Sequence, residues 1–276
     1  MPELPEVETV RRRLEPELVG RRLERVDIRD PRLTRPFDPA GVAAELEGEL
    51  VAALDRRGKY LVFRFESGRV LLVHLRMTGQ LLHANGDSLP DEDAHRRAVV
   101  RLDDGTDVIY RDVRRFGTWL LVKPGELGPY LDDRVGHEPL ARAFTPKRLG
   151  EVLAGRRAPV KAVLLDQRSL AGVGNIYADE ALWRAGIHPR RPAGELADAE
   201  IAALHRSVRA ALRAGIARHG ATLSDYRQPD GARGRMQDEF KAYGREGEPC
   251  PRCGTPIEKV RIAGRGSWYC PSCQRR

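Results

Sequence analysis

Four cysteines near the C-terminus constrain this chain more than any other feature of its sequence. Cys250 and Cys253 form one pair, Cys270 and Cys273 form a second, and sixteen residues separate the pairs. The two-residue spacing within each pair lets both thiolates face one metal ion from a single turn. Four soft anionic ligands favour tetrahedral zinc and leave no position for a catalytic water. The spacing predicts one structural Zn²⁺, with two disulfides or free thiols as the alternative.

Charge narrows the class of partner. The chain has 48 Lys and Arg against 40 Asp and Glu, and its pI is about 9.6. This balance favours a polyanionic partner such as nucleic acid, although a basic soluble protein without such a partner has the same composition. No segment approaches the roughly 20 apolar residues of a membrane span, and the N-terminus does not resemble a signal peptide. We expect a cytoplasmic protein with no membrane partner, and a monomer.

The spacing of apolar residues predicts an α+β chain with two domains of different character. A helix is predicted from Pro5 to Leu18, ended by Gly20. From Arg22 to about Val122, short apolar runs alternate with turns, which is typical of a β-sandwich or barrel. Helical spacing then recurs in four segments. These are residues 146–153, 160–165, 176–185 and 199–217.

Composition places the domain boundaries. Residues 124–146 are rich in Pro, Gly and Asp without periodicity, which predicts an interdomain connection. The predicted domains are a β-sandwich at 1–135, a helical domain at 136–238 and a zinc hairpin at 239–276. The hairpin has too few apolar residues to fold without its metal. Residues 220–234 are predicted to form a mobile loop.

Six motifs follow one another along the chain. They are PELPEVE at the start, GKYL at 58–61, HLRMTG at 74–79, RRFG at 114–117, AGVGNIYADE at 171–180 and the four-cysteine hairpin. In content and order they resemble bacterial formamidopyrimidine-DNA glycosylases over essentially the entire chain. The resemblance implies an N-terminal helix with a β-sandwich, a helix-two-turn-helix region and a zinc-finger hairpin.

The same resemblance implies a function. It implies a bifunctional repair enzyme that excises oxidised purines, 8-oxoguanine and formamidopyrimidines, from duplex DNA and then cuts the strand by β,δ-elimination. Damaged double-stranded DNA is the implied partner, which would associate the protein with the nucleoid. Leu4 favours this branch, because the related branch for oxidised pyrimidines typically has Gly at that position.

The family's chemistry maps onto the N-terminus. Removal of Met1 would leave Pro2 with a secondary amine that is partly neutral at physiological pH and can attack the sugar C1′. Glu3 would act as general acid and base. The alternative is that Glu3 is only a negative charge near the start of the first helix, where the helix dipole favours it. Lys59 would hold a phosphate beside the damaged nucleotide, and a solvated surface lysine is the alternative. Glu6 is a weaker candidate for positioning DNA or Pro2.

A damaged base inside a duplex is out of reach of Pro2, so the nucleotide must be turned out and the gap filled. The resemblance assigns Met77 to the vacated space, Arg114 to the orphaned partner base and Phe116 to a wedge on the opposite side. Without the resemblance, Met77 and Phe116 would be interpreted as core. Val113 departs from the family, which commonly has Pro there.

The remaining DNA contacts come from four scattered residues. His74 is assigned to a phosphate, although a histidine on an apolar strand is more often a core residue. Asn175 lies in a glycine-bounded turn before a helix, which suits a phosphate contact. Arg265 is predicted at the tip of the zinc hairpin, which can enter a DNA groove, and a solvated turn is the alternative. Tyr243 is expected to support the DNA-facing surface.

Two rival functions remain open. One is a non-catalytic DNA-binding module, against which the combination of Pro2, Glu3 and Lys59 argues. The other is the pyrimidine-lesion branch of the same family.

Overall fold

The computed structural model describes residues 1–85 and 93–275. Contacts between Cα atoms divide the chain into two compact units. The first is Met1–Leu131 together with Arg218–Arg235, and the second is Asp132–Ala217 together with the chain from Met236 onward. The helical segment of the sequence is therefore followed by a stretch that packs with the N-terminal unit before the chain returns.

The first unit contains a sandwich of two four-stranded antiparallel sheets, as the sequence predicts. One sheet has the order β1-β6-β7-β5 and the other has the order β2-β3-β4-β8. The strands are β1 (Leu23–Ile28), β2 (Val51–Arg57), β3 (Tyr60–Phe65), β4 (Val70–His74), β5 (Gly79–Asn85), β6 (Arg96–Leu102), β7 (Thr106–Asp112) and β8 (Thr118–Val122).

Burial in the sandwich follows the two-residue period of a strand. Along β6, alternate residues are buried, so that Ala98, Val100 and Leu102 share the inward face. The strand β4 is buried throughout. The apolar faces of the two sheets form one cluster that also takes in the inward face of the first helix.

Helix α1 (Leu4–Leu18) begins one residue before its predicted start. Pro5 stands in its first turn, where its missing N–H has no helical partner to lose. Val10 and Leu14 are buried on its inward face. The helix is followed by Gly20, whose φ of 84° is in the left-handed region that glycine enters without strain.

Two short helices of this unit were not predicted. Helix α2 (Pro39–Leu46) is capped by Asp38, whose Oδ2 accepts a hydrogen bond from Gly41 N at 2.9 Å. Helix α3 (Leu127–Asp132) lies within the segment predicted to be an irregular connection. Both span too few turns for apolar periodicity to reveal them, and a cap and tertiary contacts stabilise such helices instead.

The second unit is helical, as predicted. Helices α4 (Pro146–Leu153) and α5 (Val160–Leu165) have the predicted bounds, and α6 (Asn175–Ala185) and α7 (Asp198–Ala217) each begin one residue earlier than predicted. Two short 3₁₀ helices, Ala193–Glu195 and Met236–Glu239, accompany them. None of the helices that the structure describes is long and apolar enough to cross a membrane.

The predicted hairpin near the C-terminus consists of β9 (Glu258–Ile262) and β10 (Arg265–Tyr269). Ala263 and Gly264 connect the two strands with positive φ angles of 48° and 75°. Positive φ at both central residues is the requirement of a type I′ turn, whose twist matches that of an antiparallel pair. Arg265 is therefore the first residue after the turn.

Candidate active site and nucleic-acid-binding surfaces

The start of α1 gathers two buried carboxyl side chains beside Pro2. Pro2 is buried, Glu3 is 3% exposed and Glu6 is 2% exposed. The Glu3 backbone N–H donates to Glu6 Oε2 at 2.9 Å. This bond ties the residue that follows Pro2 to the first turn of α1.

The other carboxylate oxygen of Glu6 holds a distant segment of the same unit. Glu6 Oε1 accepts from the backbone N–H of Ala221 at 2.7 Å. A Cβ on Gly220 would lie 2.8 Å from Glu6 Cγ, and Gly220 has a φ of 77°. Only glycine therefore fits this position without a shift, because a larger residue meets both the side chain and backbone strain.

Hydrogen bonds organise residues 219–234, which contain neither helix nor strand. The Tyr226 hydroxyl donates to the His219 carbonyl at 3.1 Å, and the Thr222 hydroxyl donates to the Tyr226 carbonyl at 3.0 Å. Thr222 Oγ1 also accepts from Gly234 N at 2.9 Å. One carboxylate, that of Glu6, thus contacts both the N-terminal residues and this segment, a link that the sequence did not indicate.

Lys59 and His74 lie at the same end of the sandwich. Lys59 is 5% exposed, so it is not a solvated surface lysine. His74 pairs in register with Tyr60 across β3 and β4, and their rings meet edge-to-face at 4.7 Å. Burial, followed by the positive charges of Arg76 and Lys59, lowers the pKa of His74 to about 3.

His74 is therefore neutral at physiological pH. Its Nδ1 accepts the backbone N–H of Arg76 at 2.9 Å, so the proton of the neutral ring is assigned to Nε2. It can offer one hydrogen-bond donor but no positive charge.

The residues predicted to enter the duplex lie at the surface. Met77 is 38% exposed and Phe116 is 51% exposed, and Val113, the neighbour of Arg114, is 39% exposed. Arg114 is also exposed, with its guanidinium 4.7 Å from the centre of the Phe116 ring. The interpretation of Met77 and Phe116 as core is therefore wrong. Large apolar side chains left in water at adjoining loops are typical of a surface that meets a partner.

The four cysteines converge at the base of the hairpin. Their Sγ atoms all lie within 4.8 Å of one another, and none forms a disulfide. A tetrahedral zinc ion with Zn–S bonds of about 2.3 Å requires sulfur atoms about 3.8 Å apart, so these thiols fit the ion. The Trp183 indole N–H donates to Cys250 Sγ at 3.3 Å, an outer contact that suits a thiolate ligand.

A buried ion pair that the sequence did not reveal anchors the hairpin within the second unit. Lys161 Nζ lies 2.7 Å from Asp179 Oδ1, and neither side chain is exposed. Lys161 also donates to Ser267 Oγ at 2.7 Å and to the Gly266 carbonyl at 2.9 Å. Asp179 Oδ2 accepts from the Trp268 backbone N–H at 3.1 Å. Burial raises the pKa of Asp179 to about 7, and the Lys161 ammonium opposes this rise.

Asn175 and Arg265 adjoin the same anchor. Asn175 Nδ2 donates to the Gly266 carbonyl at 3.1 Å, so part of its amide holds the hairpin. Arg265, the neighbour of Gly266, is exposed. Asn175 is thereby bonded to the residue that follows Arg265.

Tyr243 is placed by a second buried carboxylate. Glu180 Oε1 accepts the backbone N–H groups of Lys241, Ala242 and Tyr243 at 2.9, 2.9 and 3.1 Å. The Tyr243 ring packs at 4.6 Å from that of Trp268. The final two residues of the AGVGNIYADE motif, Asp179 and Glu180, thus both organise backbone from the C-terminal part of the chain.

Three family profiles match consecutive parts of the chain. The formamidopyrimidine-DNA glycosylase N-terminal domain matches residues 1–119, and the H2TH domain of the same enzymes matches residues 135–227. The zinc finger found in FPG and IleRS matches residues 247–276. Together with the thiol cluster, this match identifies the four cysteines as the ligands of one structural zinc ion.

Relatives with known names and structures cover the whole length of the chain. The formamidopyrimidine-DNA glycosylase of Symbiobacterium thermophilum is 51% identical over 99% of this chain and 89% of its own length. That of Roseiflexus sp. is 48% identical over 100% of both chains. A point mutant of Lactococcus lactis FPG, solved with Fapy-dG-containing DNA, is 38% identical with a TM-score of 0.92 over 100% of both chains. The protein therefore belongs to the formamidopyrimidine-DNA glycosylase family.

Proposed function

We propose that this protein is a bifunctional glycosylase and AP lyase that removes 8-oxoguanine and formamidopyrimidines from duplex DNA and then cuts the strand. The observation that carries the proposal is the buried N-terminal cluster in which Pro2 precedes Glu3 and Glu6. Relatives of this chain were solved with DNA containing Fapy-dG and carbocyclic 8-oxo-G, which supports the same substrate class.

The first chemical step is nucleophilic substitution by Pro2 after removal of Met1. The neutral secondary amine forms a bond from nitrogen to C1′, and the glycosidic bond breaks as the damaged base leaves with its electron pair. The N–H proton of Pro2 passes to the departing base, which leaves the nitrogen lone pair free. Opening of the sugar produces a cationic iminium between Pro2 and C1′. Glu3, next to the nucleophile, supplies the proton to the ring oxygen.

The iminium then drives strand cleavage. Loss of a C2′ proton breaks the C3′–O bond and expels the 3′ phosphate, and a second elimination breaks the C5′–O bond. Water hydrolyses the remaining iminium and regenerates Pro2. Lys59 binds a phosphate beside the reacting sugar through its positive charge. Its buried side chain lies near enough to His74 to lower the pKa of that residue, so both phosphate contacts come from the same end of the sandwich. His74 contributes a neutral N–H donor to phosphate.

Base extrusion precedes these steps. Met77 fills the space that the base vacates, Phe116 wedges the opposite side and Arg114 bonds the orphaned partner base. The exposure of Met77 and Phe116 supports this role, since large apolar side chains are more often buried.

The second unit contributes DNA contacts of its own. Arg265 and Asn175 contact phosphates, and Tyr243 supports the surface beside Trp268. The zinc ion, bound by its four cysteines, stabilises the hairpin and takes no part in the chemistry, because four thiolates leave no open coordination position.

The oxidised-pyrimidine branch is a second candidate function, because Lactococcus lactis FPG was also solved with DNA that contains an oxidised pyrimidine. Parallel cleavage of 8-oxoguanine and thymine glycol duplexes separates the two functions. We expect faster excision of 8-oxoguanine, and faster excision of thymine glycol would assign the protein to the other branch.

Borohydride trapping on an 8-oxoguanine:cytosine duplex tests the mechanism. Borohydride reduces the iminium to a stable amine, and mass mapping then locates the crosslinked peptide. We expect the crosslink at Pro2, with Pro5→Ala as a control that keeps the nucleophile. A crosslink at a lysine would overturn the assignment of Pro2, and DNA binding without cleavage would indicate a non-catalytic binding module.

A further inference from the structure

The two loops that carry the exposed wedge residues arise from one point of the first unit. Gly79, the first residue of β5, pairs with Asp112, the last residue of β7. Met77 and Thr78 immediately precede the first of these positions, and the loop with Arg114 and Phe116 immediately follows the second. The two loops are more than thirty positions apart in the sequence, and they therefore start from neighbouring backbone positions.

A buried carboxylate and a hydroxyl join the two loops. Asp112 is 1% exposed and Thr78 is 6% exposed. The Thr78 hydroxyl donates to Asp112 Oδ1 and accepts the backbone N–H of Arg114 at 3.0 Å. Asp112 Oδ1 lies 3.2 Å from the same N–H, and Asp112 Oδ2 accepts the Gly117 N–H at 2.8 Å. The carboxylate thus binds both ends of the loop that contains Phe116.

The middle of that loop has its own anchor. Arg115 has a φ of 59°, and its guanidinium forms two hydrogen bonds of 2.6 and 2.7 Å with the buried carboxylate of Asp30. Such a bidentate pair fixes direction as well as distance. It turns Arg115 toward Asp30 and leaves its neighbours Arg114 and Phe116 exposed.

Tyr110 explains why the HLRMTG and RRFG motifs both end in glycine. Its side chain is fully buried between the two loops. A Cβ on Gly117 would lie 1.6 Å from the Tyr110 hydroxyl oxygen, and a Cβ on Gly79 would lie 2.4 Å from it. The final glycines of HLRMTG and RRFG therefore leave room for one tyrosine, which packs both loops against the sandwich.

We propose that Thr78 and Asp112 are positioning residues that hold Met77, Arg114 and Phe116 as one preorganised wedge for opening the duplex. This inference rests on the proposed glycosylase function and adds to it the residues that set the wedge. Hydrogen bonds to a charged acceptor fix the backbone that carries the three side chains before DNA binds, so less conformational entropy is lost during insertion.

The test compares Thr78→Val, which keeps the shape but removes the hydroxyl, with Thr78→Ser, which keeps the hydroxyl. Thr106→Val is the matched control, because the Thr106 hydroxyl also donates to a carboxylate, Asp104 at 2.7 Å, but at the other end of β7. Two rates are measured in single turnover. One is excision of 8-oxoguanine from duplex DNA, and the other is cleavage of single-stranded DNA at a preformed abasic site, which needs no wedge.

For Thr78→Val we expect duplex excision to slow by about 10- to 100-fold, because hydrogen bonds to a charged group are lost. Thr78→Ser and Thr106→Val should stay within about threefold of the wild-type rate, because both keep the bonds that join the two loops. Single-strand cleavage should be unchanged in all variants. The fluorescence of 2-aminopurine beside the lesion should rise more slowly in Thr78→Val, which reports insertion independently of chemistry.

Equal loss of both activities in Thr78→Val, or no loss in either, would overturn the role of Thr78 and Asp112. Wild-type protein that cleaves neither substrate would instead overturn the proposed function. Should Thr78→Val not fold, Arg115→Gln releases the second anchor at a partly exposed position, and it should also slow duplex excision selectively.

Discussion

The β-sandwich and the zinc hairpin are stabilised by different interactions. The described part of the first unit buries 25 residues in one apolar cluster built around the sandwich, whereas the cluster at the hairpin contains five, two of them cysteines. The hairpin therefore depends on a metal ion and on the buried pair of Lys161 and Asp179. Loss of one interaction should remove a large share of the stability of the hairpin, whereas losses in the sandwich are shared among many contacts.

Loss of zinc should have the largest effect. Cys250→Ser removes one ligand, and structural zinc contributes on the order of 10 kcal/mol to the folding of such modules. The indole N–H signals of Trp183 and Trp268 should collapse in an NMR spectrum, and that of Trp119 in the sandwich should persist. Affinity for DNA should fall.

Ser272→Ala, an exposed substitution between two of the cysteines, serves as the control and should leave all three signals in place. Undiminished DNA affinity after verified zinc loss would contradict the role of the hairpin.

Breaking the buried ion pair should have the second largest effect. Lys161→Met leaves the carboxylate of Asp179 buried without its cation, which costs about 3–5 kcal/mol. Denaturant unfolding followed through Trp183 and Trp268 measures the loss. The double variant with Asp179→Leu should recover most of it, because no charge then remains buried.

Lys259→Met provides the matched control on the same hairpin, since this lysine is 44% exposed and pairs with an exposed glutamate. It should change stability by less than about 1 kcal/mol. Equal losses in the two lysine variants would show that burial of Lys161 does not set its importance.

A cavity in the sandwich should have a smaller effect than loss of zinc. Leu61 is fully buried in β3, and Leu61→Ala should lower the free energy of unfolding by about 3 kcal/mol. The Trp119 signal reports the transition of the sandwich. Val19→Ala, at a position that is 41% exposed, should change the free energy of unfolding by less than about 0.5 kcal/mol. Complete unfolding by Leu61→Ala would mean that the sandwich depends on single contacts as the hairpin does.

Acidification should have the smallest effect and should act through His74. Its folded pKa of about 3 lies below the ordinary value of 6.5, so the unfolded chain binds more protons between these two values. Stability from this residue is complete above pH 6.5 and falls as the pH drops toward 3. At pH 5 the loss is about 2 kcal/mol.

Urea unfolding of wild type and His74→Gln at pH 7 and pH 5 tests this expectation. The variant cannot gain the extra proton, so its midpoint should fall less between the two pH values. An equal pH dependence would assign the acid sensitivity of the sandwich to other groups.

Features formed by residues that are close together in the chain were predictable from the sequence. The spacing of Cys250, Cys253, Cys270 and Cys273 predicts the thiol cluster, and apolar periodicity predicts α4 and α5 to the residue. The order of the motifs identified the family. Each of these signals lies within a few turns of chain, or in a motif that can be compared directly with relatives.

Contacts across long stretches of chain were decided only by the tertiary structure. Glu6 and Ala221 are separated by 215 positions, Lys161 and Ser267 by 106, and Thr78 and Asp112 by 34. None of these residues stands out in the sequence. Their partners are determined by how the strands and helices pack and by the need to satisfy buried polar groups. The sequence by itself therefore determined which chemical groups this protein has, and the fold decided which of them hold the others in position.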